Sequence, residues 1–281
     1  MHLGIVHSNP QIRNPHERHE RTHNAIPSTR YGRRRRARSP WHGCMLRRRG
    51  LLGLLGHSGG DRSPEQIKEA GEIVIGIFSD KAPFGYIDAN GKPAGYDVVY
   101  GDRIAADLGV TAKYVPVDAA ARTEVLASNK VDITLANFTV TPERAEKVDF
   151  ANPYFKVSLG VVSPTSAEIT DVSQLAGKTL IVTKGTTAEA YFEANHPEIK
   201  LQKYDQYSDA YQALEDGRGD AFSTDNTEVI AWAIQHPGFR VGIKSLGDTS
   251  YIAAAVKKGN TALLDWLNNE LVELGQENFL N

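Results

Sequence analysis

The sequence has one cysteine and few histidines outside its N-terminal stretch, and this excludes two classes of site. Cys44 is the only cysteine in 281 residues, so the chain has no intrachain disulfide and no cysteine-based metal site. Six of the nine histidines lie within the first 42 residues, and none stands in a His-Glu-x-x-His arrangement. We therefore predict neither a metal ion nor a cofactor.

Motifs of nucleotide binding and of nucleophilic catalysis are missing as well. Residues 184–187, Lys-Gly-Thr-Thr, are only a fragment of a phosphate-binding loop, because Gly-x-x-x-x-Gly-Lys is absent. There is no Gly-x-Ser-x-Gly, and the single thiol lies in the N-terminal stretch. No apolar run approaches the length needed to span a membrane. The sequence therefore favours no enzyme class, and we predict that the protein is not an enzyme.

The charges are divided unevenly along the chain, although the net charge is only -2. Residues 1–50 hold 12 Arg, no Lys, two Glu and no Asp, which amounts to about +10. The other 231 residues therefore carry about -12. An acidic body argues against nucleic acid as a partner. The Arg-rich run at residues 33–38 also lacks the interleaved aromatic residues of a nucleic-acid-binding arm.

Residues 1–62 are predicted to be a disordered basic leader with a degenerate signal-like segment. Residues 45–49, Met-Leu-Arg-Arg-Arg, resemble the charged start of a secretory signal, and residues 50–56 resemble a short apolar region. No Ala-x-Ala cleavage site follows, and Cys44 precedes the apolar run, where a lipid-anchor cysteine would follow it. We expect an extracytoplasmic protein with an imperfect export signal.

The rest of the sequence alternates between strand and helix patterns. Apolar, β-branched runs predict strands, and amphipathic stretches with capping residues predict the helices between them. The predicted strands are residues 73–78, 112–117, 131–136, 157–163, 178–183, 201–204, 220–225, 239–243 and 251–256; the predicted helices are residues 64–70, 96–108, 119–127, 188–195, 209–216, 228–235 and 261–275, and residues 80–86 form a loop. This order predicts an α/β fold built from two units with open sheets.

One polar stretch follows the third predicted strand. Thr141 is placed to cap a short helix with Pro142 at its first position, so that Arg144 falls in the first turn. A helix start offers free N–H groups and partial positive charge, and an Arg can hold a carboxylate by two parallel hydrogen bonds. The stretch is either a carboxylate-binding turn or an ordinary capped helix with a solvated Arg.

Four predicted strand ends carry polar residues, at residues 78–84, 137–144, 183–188 and 224–225. In open α/β sheets ligands bind at the carboxyl ends of strands. Two of these ends belong to each unit, so a ligand would lie in the cleft between the units. Arg144 suits an α-carboxylate and Asp225 suits an α-ammonium, while Thr139 and Thr187 could add hydrogen bonds. These charges predict a free amino acid as the ligand.

Each candidate also has a purely structural interpretation. Asp225 could cap the following helix, and Thr186 or Thr187 could cap the helix that begins at residue 188. Phe138 and Phe155 could belong to the apolar core. The residue types alone leave these alternatives open.

Three motifs along residues 71–281 occur in the same order as in a known protein family. They are residues 83–86 (Pro-Phe-Gly-Tyr) with 95–98 (Gly-Tyr-Asp-Val), residues 139–144 (Thr-Val-Thr-Pro-Glu-Arg) with 149–150 (Asp-Phe), and residues 219–221 (Gly-Asp-Ala) leading to Asp225. With these motifs the chain resembles the periplasmic-type solute-binding proteins for polar amino acids, the receptors of ABC importers. Residues 78–81, 136–139 and 184–187 resemble the cysteine-binding branch of that family.

The resemblance implies a two-lobed type II periplasmic binding protein fold, with two open α/β sheets joined by a two-strand hinge. By position, lobe 1 comprises residues 63–153 plus 251–281, the hinge strands are residues 154–158 and 246–250, and lobe 2 comprises residues 159–245. Relatives continue past residue 281 with a further helix, so we expect a truncated C-terminus. The implied partners are a small-molecule amino acid and the membrane permease of an ABC importer, and the family is usually monomeric.

The resemblance also assigns roles to residues. It implies that Thr139 and Arg144 bind the α-carboxylate and Asp225 the α-ammonium. The rest of the expected ligand-binding set is Thr187, Ala188, Asn137, Phe138, Lys81, Phe78, Arg122 and Thr183.

Besides its early end, this sequence departs from other branches at its aromatic-clamp positions and at Arg122. Lys81 stands where glutamine and histidine binders place a stacking aromatic residue, and a second clamp position falls near Ala119 or Ala120. Arg122 matches the position that acidic-amino-acid binders use for the side-chain carboxylate, although the cysteine-binding branch also carries Arg there. We therefore predict cysteine as the first ligand and glutamate or aspartate as the second.

Two other functions remain open at this point. An enzyme on the same fold, such as a cyclohexadienyl dehydratase, would need an acid in the cleft, for which Asp80 and Glu189 are the candidates. A ligand-sensing receptor would have the same binding site and a different partner.

Overall fold

The computed structural model describes residues 61–279, which fall in one compact unit. The predicted leader as far as residue 60, with its signal-like segment, and residues 280–281 lie outside the described residues. Arg62 corrects the boundary predicted at Ser63. It is 5% exposed, and its Nε donates to the buried Asp132 Oδ1 at 2.9 Å. This buried ion pair shows that Arg62 belongs to the folded part, since a buried guanidinium needs a carboxylate partner.

Eight helices and eleven strands alternate along the described residues. The helices are α1 (Pro64–Ala70), α2 (Tyr96–Leu108), α3 (Arg122–Ala127), α4 (Pro142–Ala145), α5 (Thr187–Asn195), α6 (Tyr207–Glu215), α7 (Asn226–Gln235) and α8 (Thr261–Gln276). The strands are β1 (Glu72–Ile77), β2 (Asp80–Lys81), β3 (Gly85–Ile87), β4 (Pro93–Ala94), β5 (Thr111–Pro116), β6 (Ile133–Thr134), β7 (Val148–Pro164), β8 (Thr179–Thr183), β9 (Lys200–Tyr204), β10 (Ala221–Asp225) and β11 (Phe239–Lys257). Within residues 61–279, no helix is both long and apolar enough to cross a bilayer.

The main sheet has eight strands in the order β5-β1-β6-β11-β7-β10-β8-β9. We call β5, β1 and β6 with their helices the first half, and β10, β8 and β9 with theirs the second half. Pairing within each half is parallel. The long strands β7 and β11 pair with each other and with both halves in antiparallel fashion. A small sheet, β2-β3-β4, lies beside it. The predicted α/β class is confirmed.

Strands β7 and β11 are longer than predicted, with 17 and 19 residues. The sequence predicted strands only at parts of them, because Pro153 and Gly247 are typical of breaks. The two strands pair along their length through several register shifts, one of them between Leu246 and Ser250. Both ranges predicted as hinges therefore lie inside these strands. Hydrogen bonding along β7 and β11 joins the two predicted sheets into one continuous eight-stranded sheet.

Other boundaries differ because local signals are weak over very short elements. The strand predicted at residues 131–136 is reduced to β6, since Ala136 and Asn137 turn into the left-handed region with φ of 36° and 42°. The loop predicted at residues 80–86 contains β2 and part of β3. The helix predicted at residues 119–127 begins as a 3₁₀ turn before α3. The predicted caps at Ser63 and Thr141 are confirmed, although α4 is only one turn long.

The apolar core is divided into three clusters. One lies in the first half and one in the second. The third joins residues of both halves, and the ring centres of Phe78 and Tyr207 lie 5.3 Å apart in an edge-to-face contact. Burying a side chain of this size contributes about 1.5–3 kcal/mol. This shared cluster holds the strand ends of the two halves opposite one another.

Candidate functional site: a polar cavity between the two halves

A small polar cavity lies where the strand ends of the two halves meet. It is lined by Arg122, Asn137, Thr139, Thr186, Thr187, Ala188, Tyr207, Thr224 and Asp225. Its free volume is about 10 Å³, which is roughly the space of one water molecule. In this arrangement the side chains of the two halves are therefore packed closely over the polar strand ends.

Six of the eleven predicted site residues line this cavity. They are Thr139, Asp225, Thr187, Ala188, Asn137 and Arg122. The other five, Arg144, Phe138, Lys81, Phe78 and Thr183, lie outside its wall. The structure thus brings together residues from three of the four predicted strand ends. The fourth, residues 78–84, does not line the cavity, but its Lys81 contacts Asp225 from behind the wall.

Three lining residues, Thr186, Tyr207 and Thr224, are not among the eleven residues of the expected ligand-binding set. Thr186 and Thr224 lie at strand ends that were predicted to carry polar residues. Thr186 caps α5, as one alternative predicted, because its Oγ1 accepts from Glu189 N at 3.2 Å. Tyr207 begins α6 after β9, whose carboxyl end at Tyr204 was not considered. A systematic count of strand ends would have included it.

Asn137 joins the two halves at the cavity. Its backbone N–H donates to Asp97 Oδ2 at 2.8 Å, and its side-chain amide donates to Asp225 Oδ2. The amide nitrogen must face the carboxylate, which fixes the orientation of the group. Its Oδ1 is buried and has no hydrogen-bond partner among residues 61–279. An unpaired buried acceptor in a cavity wall favours a ligand that donates a hydrogen bond.

Asp225 takes part in a buried charge cluster. It occupies the N-cap position of α7, but its side chain makes no capping hydrogen bond, so the alternative of a plain cap is wrong. Lys81 Nζ lies 3.4 Å from Asp225 Oδ2 and 2.5 Å from Glu228 Oε2, and it donates to Thr224 Oγ1 at 3.1 Å. Burial lowers the pKa of the Lys81 ammonium, but Glu228, Tyr207 and Asp225 outweigh burial and raise it.

The Arg122 guanidinium is hydrogen-bonded to backbone carbonyls of this chain. Its Nε donates to Ala119 O at 2.9 Å and its Nη1 to Ala136 O and Asn137 O, each at 3.1 Å. Its Nη2 reaches Gly185 O in the second half at 3.2 Å. The guanidinium therefore holds the left-handed turn that presents Asn137. Burial lowers its pKa from the usual value.

Arg144 is half-buried beside the cavity and lines an adjoining one. Its Nη1 donates to Thr139 O at 2.7 Å, and its Nη2 donates to Gly185 O at 2.8 Å, across the boundary between the halves. The alternative of a solvated surface Arg is therefore wrong. Burial, with the neighbouring Arg122, lowers the pKa of Arg144 to about 9. The guanidinium remains charged at neutral pH and would gain from an anionic partner.

The remaining predicted residues support this wall. The ring centre of Phe138 lies 4.6 Å from Arg122 Cζ and 5.2 Å from Arg144 Cζ. Phe78 belongs to the shared core with Tyr207. Thr183 is buried at the end of β8, and its carbonyl accepts from Thr186 Oγ1 at 2.7 Å. Phe78 and Thr183 thus position lining residues from behind the wall.

Asp97 connects the cavity to β7. Its Oδ1 accepts from Tyr154 in β7 at 2.8 Å, while its Oδ2 holds Asn137. Burial raises the pKa of Asp97 to about 6, although both hydrogen bonds oppose the shift. A raised pKa in the folded state makes stability depend on pH.

We expect Asp97→Asn to flatten the pH dependence of stability. The pKa of Asp97 is about 6 when folded and about 4 when unfolded, so its contribution is full below pH 4 and is lost as pH rises through 6. The advantage of the natural chain over the variant should fall by up to about 3 kcal/mol between pH 4 and 7. Urea unfolding of both proteins at these pH values measures the difference in the free energy of unfolding. If this difference does not change with pH, the raised pKa of Asp97 is contradicted.

The fold and the cavity define a class: a two-part α/β protein with a small, charged cavity between its parts. The chain belongs to the bacterial extracellular solute-binding proteins, family 3, whose family pattern matches residues 73–281. This confirms the predicted family and the type II periplasmic binding protein fold. At the level of the family it also confirms the predicted extracellular solute binding.

Three similar proteins illustrate the range of the family. The structure of a solute receptor for L-cysteine of Neisseria gonorrhoeae matches with a TM-score of 0.77 and 51% identity, over 78% of this chain and 90% of that one. A cysteine-binding protein from Campylobacter jejuni gives a TM-score of 0.76 and 51% identity, over 77% and 89%. The glutamine-binding protein of an ABC transporter from Bacillus subtilis (strain 168) is 29% identical over 213 residues, 74% of this chain and 78% of its own.

Proposed function

We propose that this protein binds a small L-amino acid, with cysteine as the first choice, in the polar cavity and delivers it to the membrane permease of an ABC importer. The observation that carries the proposal is the cavity itself. Asp225 accepts a hydrogen bond from Asn137 in its wall, and Arg122 lines the cavity beside them. The 51% identity to two cysteine-binding proteins supports cysteine over glutamine, whose binder is 29% identical.

The α-carboxylate would lie at the start of α5, beside Arg144. Thr187 and Ala188 are the first residues of this nine-residue helix and line the cavity. A helix start offers free N–H groups and partial positive charge to an anion. Arg144 uses two of its five N–H groups on carbonyls of the described chain, which leaves three for a ligand.

The α-ammonium would lie at the other end, beside the hydrogen-bonded pair Asp225 and Asn137. Asp225 supplies the negative charge, and the unpaired Asn137 Oδ1 supplies a second acceptor. A charge-assisted hydrogen bond contributes about 1.5–3 kcal/mol. Acceptors at one end and donors at the other match the two charged groups of every α-amino acid.

The halves would act as the lobes of a hinged receptor. We place lobe 1 at residues 63–153 plus 251–281, with Arg62 added, and lobe 2 at residues 159–245. The hinges at residues 154–158 and 246–250 pair through Val157 and Ser250, beside the register shift in β11. Hydrogen bonds from Asn137 to Asp225 and from Arg122 to Gly185 would form only when the lobes are together. Ligand would therefore stabilise the closed arrangement.

Gly185→Ala should weaken ligand binding at least tenfold. Gly185 has φ of +73°, and a Cβ there would lie 2.5 Å from Ala120 Cα in the other half. The clash would oppose closure, beyond the strain of the left-handed backbone. Gly177→Ala is the matched control, because Gly177 has φ of +74° and a Cβ added there would meet nothing within 4 Å. Calorimetry with L-cysteine measures the affinity of both variants. Equal affinities would contradict a contact between Gly185 and Ala120 in the closed arrangement.

We further propose that the protein binds without catalysis. Asp80 Oδ2 accepts from Ser208 N at 3.1 Å, and Glu189 Oε2 accepts from Gly185 N at 2.7 Å. Both candidate acids are thus engaged by the second half, and neither lines the polar cavity. We also propose an extracytoplasmic monomer, in keeping with the family.

Mass spectrometry of the ligand released from the purified full chain by denaturation tests the function. We expect a single small amino acid at close to one molecule per chain. Recovery of a different class of compound would contradict the proposal. Assays of prephenate and arogenate turnover separate the dehydratase alternative, since measurable turnover would contradict binding without catalysis.

A further inference from the structure

The buried charges around the cavity are balanced without a ligand side chain. Three positive groups, Lys81, Arg122 and Arg144, lie within electrostatic reach of Asp225. Two further carboxylates take part: Glu228, which bonds Lys81, and Asp97, which interacts with Lys81 and Arg122. Three positive and three negative groups therefore surround the cavity. Glu143, also near Arg144, is exposed and screened by solvent.

Among residues 61–279, the cations near the expected side-chain end of the ligand are already bound by the chain itself. Arg122 spends four of its five N–H groups on backbone carbonyls of the described residues. Lys81 is 1% exposed and is held by Glu228, Asp225 and Thr224. Arg122, which lies closest to the position expected for a side-chain carboxylate, therefore keeps only one N–H group outside the hydrogen bonds of the described residues.

From this balance, and resting on the proposed function, we infer that the site selects amino acids with a neutral side chain, and that Glu228 determines this selectivity by neutralising Lys81. A zwitterionic ligand leaves the balance intact. An acidic or a basic side chain adds one uncompensated charge in a buried site, which is costly. Glutamate and aspartate, the second choice from the sequence, are therefore excluded as good ligands.

Glu228 is an unexpected residue for this role, because it does not touch the cavity. It is fully buried in α7, where its Oε1 accepts from Tyr211 at 3.1 Å and its Oε2 from Thr224 at 2.8 Å. Its charge acts on the ligand through Lys81. Glu228→Gln removes that charge with little change in size and leaves Lys81 as an excess positive charge beside the site.

The test is calorimetry on the full chain with L-cysteine under reducing conditions and with L-aspartate. For the natural protein we expect aspartate to bind at least 100-fold more weakly than cysteine. In Glu228→Gln this preference should shrink at least tenfold. Glu146→Gln removes an exposed carboxylate and should leave the preference unchanged. Aspartate binding within tenfold of cysteine in the natural protein, or an unchanged preference in Glu228→Gln, would overturn the inference.

A double variant keeps the test decisive if Glu228→Gln binds neither amino acid. Lys81→Met combined with Glu228→Gln removes one charge of each sign and restores the balance. Cysteine binding by this double variant would support the inference, and loss of binding in both variants would overturn it. If the natural protein binds no amino acid at all, the proposed function fails instead, so the two failures are distinguishable.

Discussion

Asp225→Asn is expected to reduce the affinity for L-cysteine at least 100-fold. The carboxylate is the negative group that lines the cavity, and it receives Asn137 from the opposite half. Removing one partner of a buried, hydrogen-bonded charge pair typically costs 2–5 kcal/mol. The uncharged amide would leave the α-ammonium without a counter-charge and would also present an N–H group towards Lys81 or Asn137.

Calorimetry on the full chain measures this loss, with Asp209→Asn as the control. Asp209 is an exposed carboxylate in α6, also in the second half, and its replacement should leave the affinity unchanged. Thermal unfolding of each variant separates loss of binding from loss of fold. An Asp225→Asn variant that is folded and binds cysteine within fivefold of the natural protein would remove Asp225 from the site.

Arg144→Ala should also lose at least 100-fold in affinity, because the α-carboxylate would lose its guanidinium partner. The same change removes the hydrogen bonds from Arg144 to Thr139 O and to Gly185 O, the second of which crosses the boundary between the halves. Arg144→Lys should recover little of the loss, since an ammonium cannot reproduce two parallel hydrogen bonds or reach both carbonyls.

Binding measurements on both Arg144 variants and on Arg240→Ala check this expectation. Arg240 is an exposed guanidinium in β11 at 3.9 Å from Glu168, and its loss should not affect binding. Comparing the two Arg144 variants also shows whether binding needs only the positive charge or also the two parallel hydrogen bonds of the guanidinium. Full recovery in Arg144→Lys would mean that charge alone is needed, and unchanged affinity in Arg144→Ala would show that the carboxylate binds elsewhere.

Local signals predicted most of the fold. The caps at Ser63 and Thr141 and the apolar runs of β1 and β8 act over a few residues, so the sequence contains them directly. The continuity of β7 and β11 could not be predicted in this way. Pro153 and Gly247 break the local pattern, and only pairing between residues about 90 positions apart keeps both strands extended.

The sequence predicted the site residues whose location is set by the path of the backbone. It did not predict the partners of long side chains, because those depend on tertiary structure. Asn137, Thr139, Thr187 and Asp225 follow strand ends, so topology brings them together. Whether the Arg122 guanidinium faces a ligand or four carbonyls depends on the tertiary path of the chain. The same holds for Lys81, whose partner Glu228 lies 147 positions away.

Calorimetric titration of the natural full chain with L-cysteine, in reducing buffer to exclude the larger cystine, tests the central claim most directly. We predict one site per chain with a dissociation constant below about 100 μM, equivalent to more than about 5.5 kcal/mol. Absence of cysteine binding at that concentration by a folded chain from which any bound ligand has been removed would contradict the account.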